Sequence, residues 1–275
     1  MRSAGSVLNR AMPERQSGAT GNPERDLIAR FQSARRDPHL AVLEGFHALK
    51  HALRFGAAIE AACALDRAAL DAFADALAPD LLPRLAELIE IVPRAVFGQL
   101  APIAPATGVI AIARRPAIAP GEVLERRRDA PAILLERPTD LGNLGAVVRV
   151  AAAADAAGVL TSGPLDPWHP AALRGSAGLH FALPVARLDA LPPTDRPLFA
   201  IHPEGDRLRP GTIPDDAILM FGSERRGLSP ALLERATQHL AIPMRAGVSS
   251  LNLATAVAVV LYAWRLSGSA QGRGL

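Results

Sequence analysis

The sequence predicts an α/β protein with a parallel sheet in its C-terminal half, preceded by a smaller α/β unit. Three observations lead there. Beyond Pro131, short continuous apolar runs alternate with helical stretches, the pattern of strands buried on both faces of a parallel sheet. A length of 275 residues is enough for two compact units, each with its own core. Hydrophobic residues at 49% and charged residues at 21% exclude a disordered chain.

Residues 1–22 carry many Gly, Ser, Arg and Pro without an apolar period and read as a flexible arm. From Asp26 a helical period runs through Ala34, and Ala41 to Gly56 reads as a short strand entering an amphipathic helix closed by Gly56. Arg67 to Leu88 is helix-rich with breaks at Pro79 and Pro83; IVPRAVFGQL and TGVIAIARR then add short strands and a helix. This unit is expected to span residues 23–115. A linker over 116–130 carries prolines and the run Arg126 to Arg128.

The second unit is expected over residues 131–268, with a tail at 269–275. Its strands are Ala132 to Glu136, Gly158 to Ser162, Leu198 to His202, Ala217 to Gly222 and Leu240 to Pro243, with a helix from Asn143 to Ala156. Ligands of such sheets collect at the carboxyl ends of the strands, where the loops at Thr139, Gly222 and Gly247 fall.

Composition narrows the function classes. Cys63 is the single cysteine, which excludes an intramolecular disulfide and a Cys-rich metal site and fits a reducing, cytoplasmic compartment. No apolar run reaches membrane-spanning length, so no membrane contact is expected. The pI of 9.9 overstates the basicity, because the formal net charge is only +3 and Lys50 is the single lysine. Arginine supplies the other cations, which fits RNA contact and a coding bias toward Arg and Ala equally well. The turn PTDLGNLGAVVR lacks GxGxxG, and no Walker, HExxH or GxSxG pattern occurs. His47 and His51 stand at helical spacing without a third ligand, so they read as helix histidines and no metal is expected. Trp168, in a loop that reads as exposed, is better suited to packing than to base stacking.

Chemistry is concentrated in three ordered blocks. TDLGNLGAVVRVAAAADAAGV contains Asn143, Gly145 and Arg149. LMFGSERRGLSPALLE contains Gly222, Glu224 and Gly227. IPMRAGVSSLNLATAVAVVLY contains Ile242, Pro243, Met244, Ser250, Leu251 and Asn252. The last two bring loops rich in backbone amides and small side chains, suited to a flat polar cofactor. Together the blocks resemble the SpoU/TrmH branch of the SPOUT methyltransferases, over Ala132 to Trp264. PWHPAALRGSAGLHFALPV, with Arg174, Ser176 and Gly178, is similar to the family's next segment. EGFHALKHAL and GVIAIARR are more loosely similar to a ribosomal-protein-like substrate-binding domain. Ser249 departs from the pattern, standing where relatives usually carry an acidic residue.

The resemblance implies an α/β trefoil-knot (SPOUT) domain that binds S-adenosylmethionine and methylates a ribose 2′-hydroxyl of RNA, rRNA ahead of tRNA. It implies catalytic roles for Arg149, Asn143, Glu224 and Asn252. Cofactor contacts are implied for Gly222, Ser223, Gly227, Ile242, Met244, Ser250, Leu251 and Asn252. A catalytically silent RNA-binding scaffold and base methylation are the alternatives. Candidate RNA contacts are Arg35, Arg36, Arg114, Arg115 and Arg174. A guanidinium with a pKa above about 12 is a poor base, so Arg149 suits orienting a phosphate and stabilising an alkoxide. Asn143 could position the ribose or cap its helix; Glu224 could tie the loop together or pair with Arg225 and Arg226 in solvent. Asn252 and Ser250 are expected to cap the last helix. That helix is apolar nearly all round from Leu251 to Trp264, so it must be covered on more than one side; the resemblance implies a homodimer that buries it.

Overall fold

The computed structural model describes residues 22–125 and 127–269. The expected arm before Asn22, Arg126 and the end of the expected tail lie outside the described residues. Helix α1 (Pro23–Ala34) starts where the Asn22 side chain accepts the Glu24 amide and Pro23 fills the first position, where no amide bond is lost. It therefore begins before Asp26, where the apolar period first becomes visible.

Strand β1 (Leu40–Glu44) leads into α2 (Phe46–Arg54), and β2 (Ile59–Ala64) into α3 (Arg67–Leu77) and α4 (Leu82–Leu88). Next come β3 (Glu90–Ile91), α5 (Arg94–Phe97) and β4 (Val109–Arg114). The sheet order is β1-β4-β2-β3, with β4 antiparallel to both β1 and β2. Alternation along β1 sends Ala41 and Leu43 to the helices α2 and α3, and Val42 to a second core with Phe31, Phe97 and Ile110. Pro83 lies in the first turn of α4, a position that tolerates it, rather than breaking a helix.

The stretch read as a linker, residues 116–130, contains helix α6 (Pro120–Glu125), with Val123 and Leu124 buried in the main core. Arg196 fixes this segment. Only 2% exposed, its guanidinium donates to the carbonyls of Leu124, Arg127, Ala130, Asp216 and Ala217. Five donors meeting backbone carbonyls is an arrangement that sequence periodicity does not reveal.

The second sheet comprises β5 (Ala132–Leu135), β6 (Gly158–Thr161), β7 (Val185–Arg187), β8 (Leu198–Arg207), β9 (Ile218–Phe221) and β10 (Gln238–Ala241). All pairs are parallel in the order β10-β8-β9-β5-β6-β7. Helices α7 (Leu141–Ala153), α8 (Pro170–Gly175), α9 (Pro230–Arg235) and α10 (Leu253–Ser269) connect or follow the strands. The short β7 escaped the apolar pattern, and β8 runs past His202 to Arg207. The strand order reverses between β5 and β9, so the loops after these two strands bound a crevice at their carboxyl ends.

The two sheets are locked together through α2 and the segment around α8. Gly178, at φ +79°, lies so close to α2 that a Cβ would come within 2.3 Å of the Ala48 carbonyl oxygen. His51 Nδ1 bonds the Ala177 carbonyl at 2.7 Å, and Glu44 bridges Arg35 at 2.8 Å and Arg174 at 2.6 Å. Trp168 is buried rather than exposed: its indole donates to the Val185 carbonyl, and its ring packs on His180 and Phe181. A ring with this much apolar area is worth more as a wedge than as a surface group.

His180 is fully buried, with Nε2 against the Pro167 carbonyl and Nδ1 against the Ser176 hydroxyl. A carbonyl only accepts, so Nε2 carries the proton and Nδ1 receives the hydroxyl. Burial is the largest cause that pushes its pKa down to about 4. The unfolded chain takes up this proton near pH 6.5 while the folded chain refuses it until about pH 4. Stability is therefore lost as pH falls through that window, by up to about 3 kcal/mol. Thermal unfolding between pH 7 and pH 4 should show this decline, and His180→Gln should make it shallower; an equal slope in the two proteins would contradict the assignment.

Candidate active site

Helix α7 begins where the Asp140 carboxylate accepts the Asn143 amide at 2.6 Å. Asp140 is thus the cap, which leaves the Asn143 side chain in the first turn free for other work. Asn143 Nδ2 donates to Glu224 Oε1 at 3.1 Å, and its Oδ1 accepts from Asn252 Nδ2 at 2.9 Å. Glu224 Oε2 accepts the Thr139 amide at 3.0 Å and the Thr139 hydroxyl at 2.7 Å. Asn252 Oδ1 accepts the amides of Ala254 and Thr255, making it the cap of α10.

Every group in this relay has its orientation dictated by its neighbour. The amides at the head of α10 demand an acceptor, so the Asn252 NH2 must face Asn143; the Glu224 carboxylate likewise demands the Asn143 NH2. Three segments, the β5–α7 loop, the loop after β9 and the start of α10, are pinned by one asparagine. Burial alone would raise the Glu224 pKa, but hydrogen bonds from Thr139, its own backbone and Asn143 together hold it below the usual value. Glu224 ties the loops together and pairs with neither Arg225 nor Arg226.

The glycine-rich loop folds on itself. Ser223 and Gly227 exchange backbone hydrogen bonds of 3.1 and 2.9 Å, and a Cβ on Gly222 would fall 1.9 Å from the Gly227 carbonyl carbon. Chain-on-chain contact, not ligand approach, is what demands glycine at 222; Gly227 adopts φ +65° in the turn. Ser223 and Gly227 border a cavity of about 660 Å³ together with Glu136, Arg137, Thr139 and Leu228. Ile242, Met244, Ser250 and Leu251 do not line it. They belong to a stretch, residues 242–251, in which the Val248 amide bonds the Arg245 carbonyl and the other backbone groups pair with no described residue. Ser250 is exposed and makes no hydrogen bond, so it does not cap α10.

Arg149 stands apart from the relay. It lies six residues beyond Asn143, about 240° around the helix and roughly 9 Å along it. There it lines a cavity shared with α2 and α8, with no hydrogen-bond or ion-pair partner among the described residues.

The five candidate RNA arginines divide. Arg35 and Arg115 are largely buried and serve as ties: Arg35 bonds Glu44 and the Leu100 carbonyl, and Arg115 bonds Asp166 and the Leu40 carbonyl. A guanidinium so engaged is not available to a phosphate. Arg114 is exposed but paired with Glu60, and Arg174 with Glu44. Only Arg36 among them is exposed without a partner among the described residues. The sequence reading missed Thr139, Asp140 and Lys50; an acidic residue just before an apolar helix was the available signal for Asp140. Among the described residues no group of three or more His, Cys, Asp or Glu could hold a metal ion, and no helix is long and apolar enough to cross a membrane.

Residues 130–262 match the model of the SpoU rRNA Methylase family. Residues 130–262 are thereby a SpoU-family domain. An uncharacterised tRNA/rRNA methyltransferase of Synechocystis sp. is 41% identical over 47% of this chain and 51% of its own length. The 23S rRNA (uridine(2479)-2′-O)-methyltransferase of Streptomyces viridochromogenes is 30% identical over 68% of this chain and 65% of its own. The chain thus spans about half to two thirds of these curated relatives. A crystal structure of an AdoMet-bound rRNA methyltransferase from Sinorhizobium meliloti, 25% identical, superposes with a TM-score of 0.65 and covers 89% of this chain and 95% of that one. The α/β class with a parallel sheet, expected from the motifs, is the fold of these SpoU (SPOUT) proteins.

In this domain Glu224→Gln places an NH2 against donors from Thr139 or Asn143. After allowance for solvent screening the loss is about 1 kcal/mol. The thermal midpoint should fall by about 2–4 °C. A midpoint equal to that of the unsubstituted protein would show that the relay does not hold the loops.

Proposed function

We propose that the protein is an S-adenosylmethionine-dependent methyltransferase acting on a ribose 2′-hydroxyl of rRNA. The observation that carries this is the relay Asn143–Glu224–Asn252, which ties the three motif-bearing segments at the carboxyl end of the sheet. The Streptomyces relative is named for 2′-O methylation of 23S rRNA, and the Sinorhizobium structure holds AdoMet. The exposed backbone donors and acceptors of residues 242–251 fit the polar edge of such a cofactor. Ile242, Met244, Ser250 and Leu251 would hold it, with Gly222, Ser223 and Gly227 on the facing loop. The cofactor supplies a methyl group on a sulfonium.

The chain's own residues position the nucleophile. Asn143 is fixed through both amide atoms, so substrate meets a preset loop rather than one that must order first. Arg149, a guanidinium without a partner among the described residues, is suited to a phosphate oxygen and to the negative charge that grows on the ribose oxygen. Incubation with unmodified rRNA and S-adenosylmethionine, followed by digestion and mass spectrometry, should yield a 2′-O-methylated nucleoside. A base-methylated nucleoside, or none, would contradict the reading. Arg149→Lys keeps the charge but loses the planar fork, and should reduce kcat/KM by about 100-fold.

The functional unit in this reading is a homodimer. Val259, Tyr262 and Leu266 form an exposed apolar stripe along α10, opposite the buried Leu253, Val257, Val260 and Trp264. Because Arg149 and the relay occupy different faces of α7, a second copy is needed to bring both to one ribose. Light scattering at micromolar concentration should give a dimer, and Leu266→Glu, placing charge at a 67% exposed position, should give a monomer of low activity. A monomeric unsubstituted protein would refute the dimer.

A further inference from the structure

A cavity of about 830 Å³ lies between α2 and the α7–α8 pair. Phe46, His47, Lys50 and His51 line one wall, and Arg149 and Arg174 the other. Lys50 is only 8% exposed and has no hydrogen-bond or ion-pair partner among the described residues. Its stem is packed away while its ammonium opens into the cavity, where no carboxylate neutralises it and an incoming anion can reach it. Glu44, the one acidic residue on the cavity wall, is already engaged by Arg35 and Arg174. The cavity is therefore a positive, concave surface with an unmet demand for an anion. Burial first, then the charge of Arg54, push the Lys50 pKa down; Asp80 pulls it up, and Arg149 adds a smaller lowering.

We propose that this cavity binds the RNA phosphodiester backbone beside the target nucleotide, with Lys50 and Arg149 contacting phosphate oxygens from its two walls. The inference rests on RNA being the substrate. It moves the main backbone contact away from Arg35 and Arg115, which are consumed by carboxylates, to the single lysine of the chain. A compact ammonium with three donors meets a phosphate oxygen as a point charge, a role a second cation of similar reach can fill. His47 and His51 border the same space, and 830 Å³ falls within the range of ligand-binding clefts.

The test measures binding of a short single-stranded oligouridylate over a salt series to the full-length protein, with Lys50→Met and Lys50→Arg. Lys50→Met should bind about tenfold more weakly near 0.1 M salt, and its log–log salt slope should be shallower by about 0.7, the loss of one phosphate contact. Lys50→Arg should restore the slope. Calorimetric affinity for S-adenosylmethionine should be unchanged, and the thermal midpoint of Lys50→Met equal to or above that of the unsubstituted protein. Oligouridylate binding and slope unaltered by Lys50→Met would overturn this site and leave the RNA reading standing. A lower midpoint together with lost cofactor affinity would assign Lys50 a structural role and also overturn it. Failure of the unsubstituted protein to bind oligouridylate at low salt would overturn both the site and the RNA reading.

Discussion

The close packing of α7 on α8 is the constraint on which the rest depends. A Cβ on Gly145 would sit 2.1 Å from the Ala172 carbonyl oxygen, and one on Gly175 would sit 2.9 Å from the Gly142 carbonyl oxygen. The two helix backbones touch with no side chain between them. That contact sets α8 close enough for Arg174 to reach Glu44, and sets Gly178 directly against Ala48 of α2. The position of the N-terminal sheet against the parallel one follows from glycines in the C-terminal half.

This gives one helix two faces with different surroundings. Asn143, at the head of α7, turns toward the loops after β9 and before α10, while Arg149 turns toward α2. The motif that appears in sequence as a single block is thus a spacer with different tasks at its ends, and the glycine between them belongs to packing. The relay costs little to maintain, since each of its members has a partner and the carboxylate has several donors.

The sequence displayed most of the fold, and for identifiable reasons. Runs such as Ala132–Leu135 and Ile218–Phe221 are apolar throughout because both faces of the sheet are covered. Strand β7 and helix α6 were not legible: one is three residues long, and the other lies in a proline-rich stretch held by Arg196, whose partners are distant in sequence. At the site, residue identities were visible but connections were not. Nothing in the order of residues says that Asn143 serves two loops while Asp140 caps its helix, or that Arg35 and Arg115 are already paired. The same limit applied to Trp168, whose polar and proline neighbours suggested an exposed loop although the ring wedges beneath it.

Arg196 has a further consequence. Its own hydrogen-bond partners are all carbonyls, so no carboxylate takes part in the knot of bonds that joins residues 124–130 to 216–217. Around it Arg127 pairs with Asp129 and Asp155, and Arg128 with Glu125 and Asp195, so the same stretch also carries ion pairs at its surface. A cation solvated wholly by main-chain oxygen behaves like a structural ion that cannot be chelated away. The proline-rich passage between the two sheets is thereby held from within by carbonyls that neither salt nor acid removes, while the ion pairs around it lie open to screening by salt.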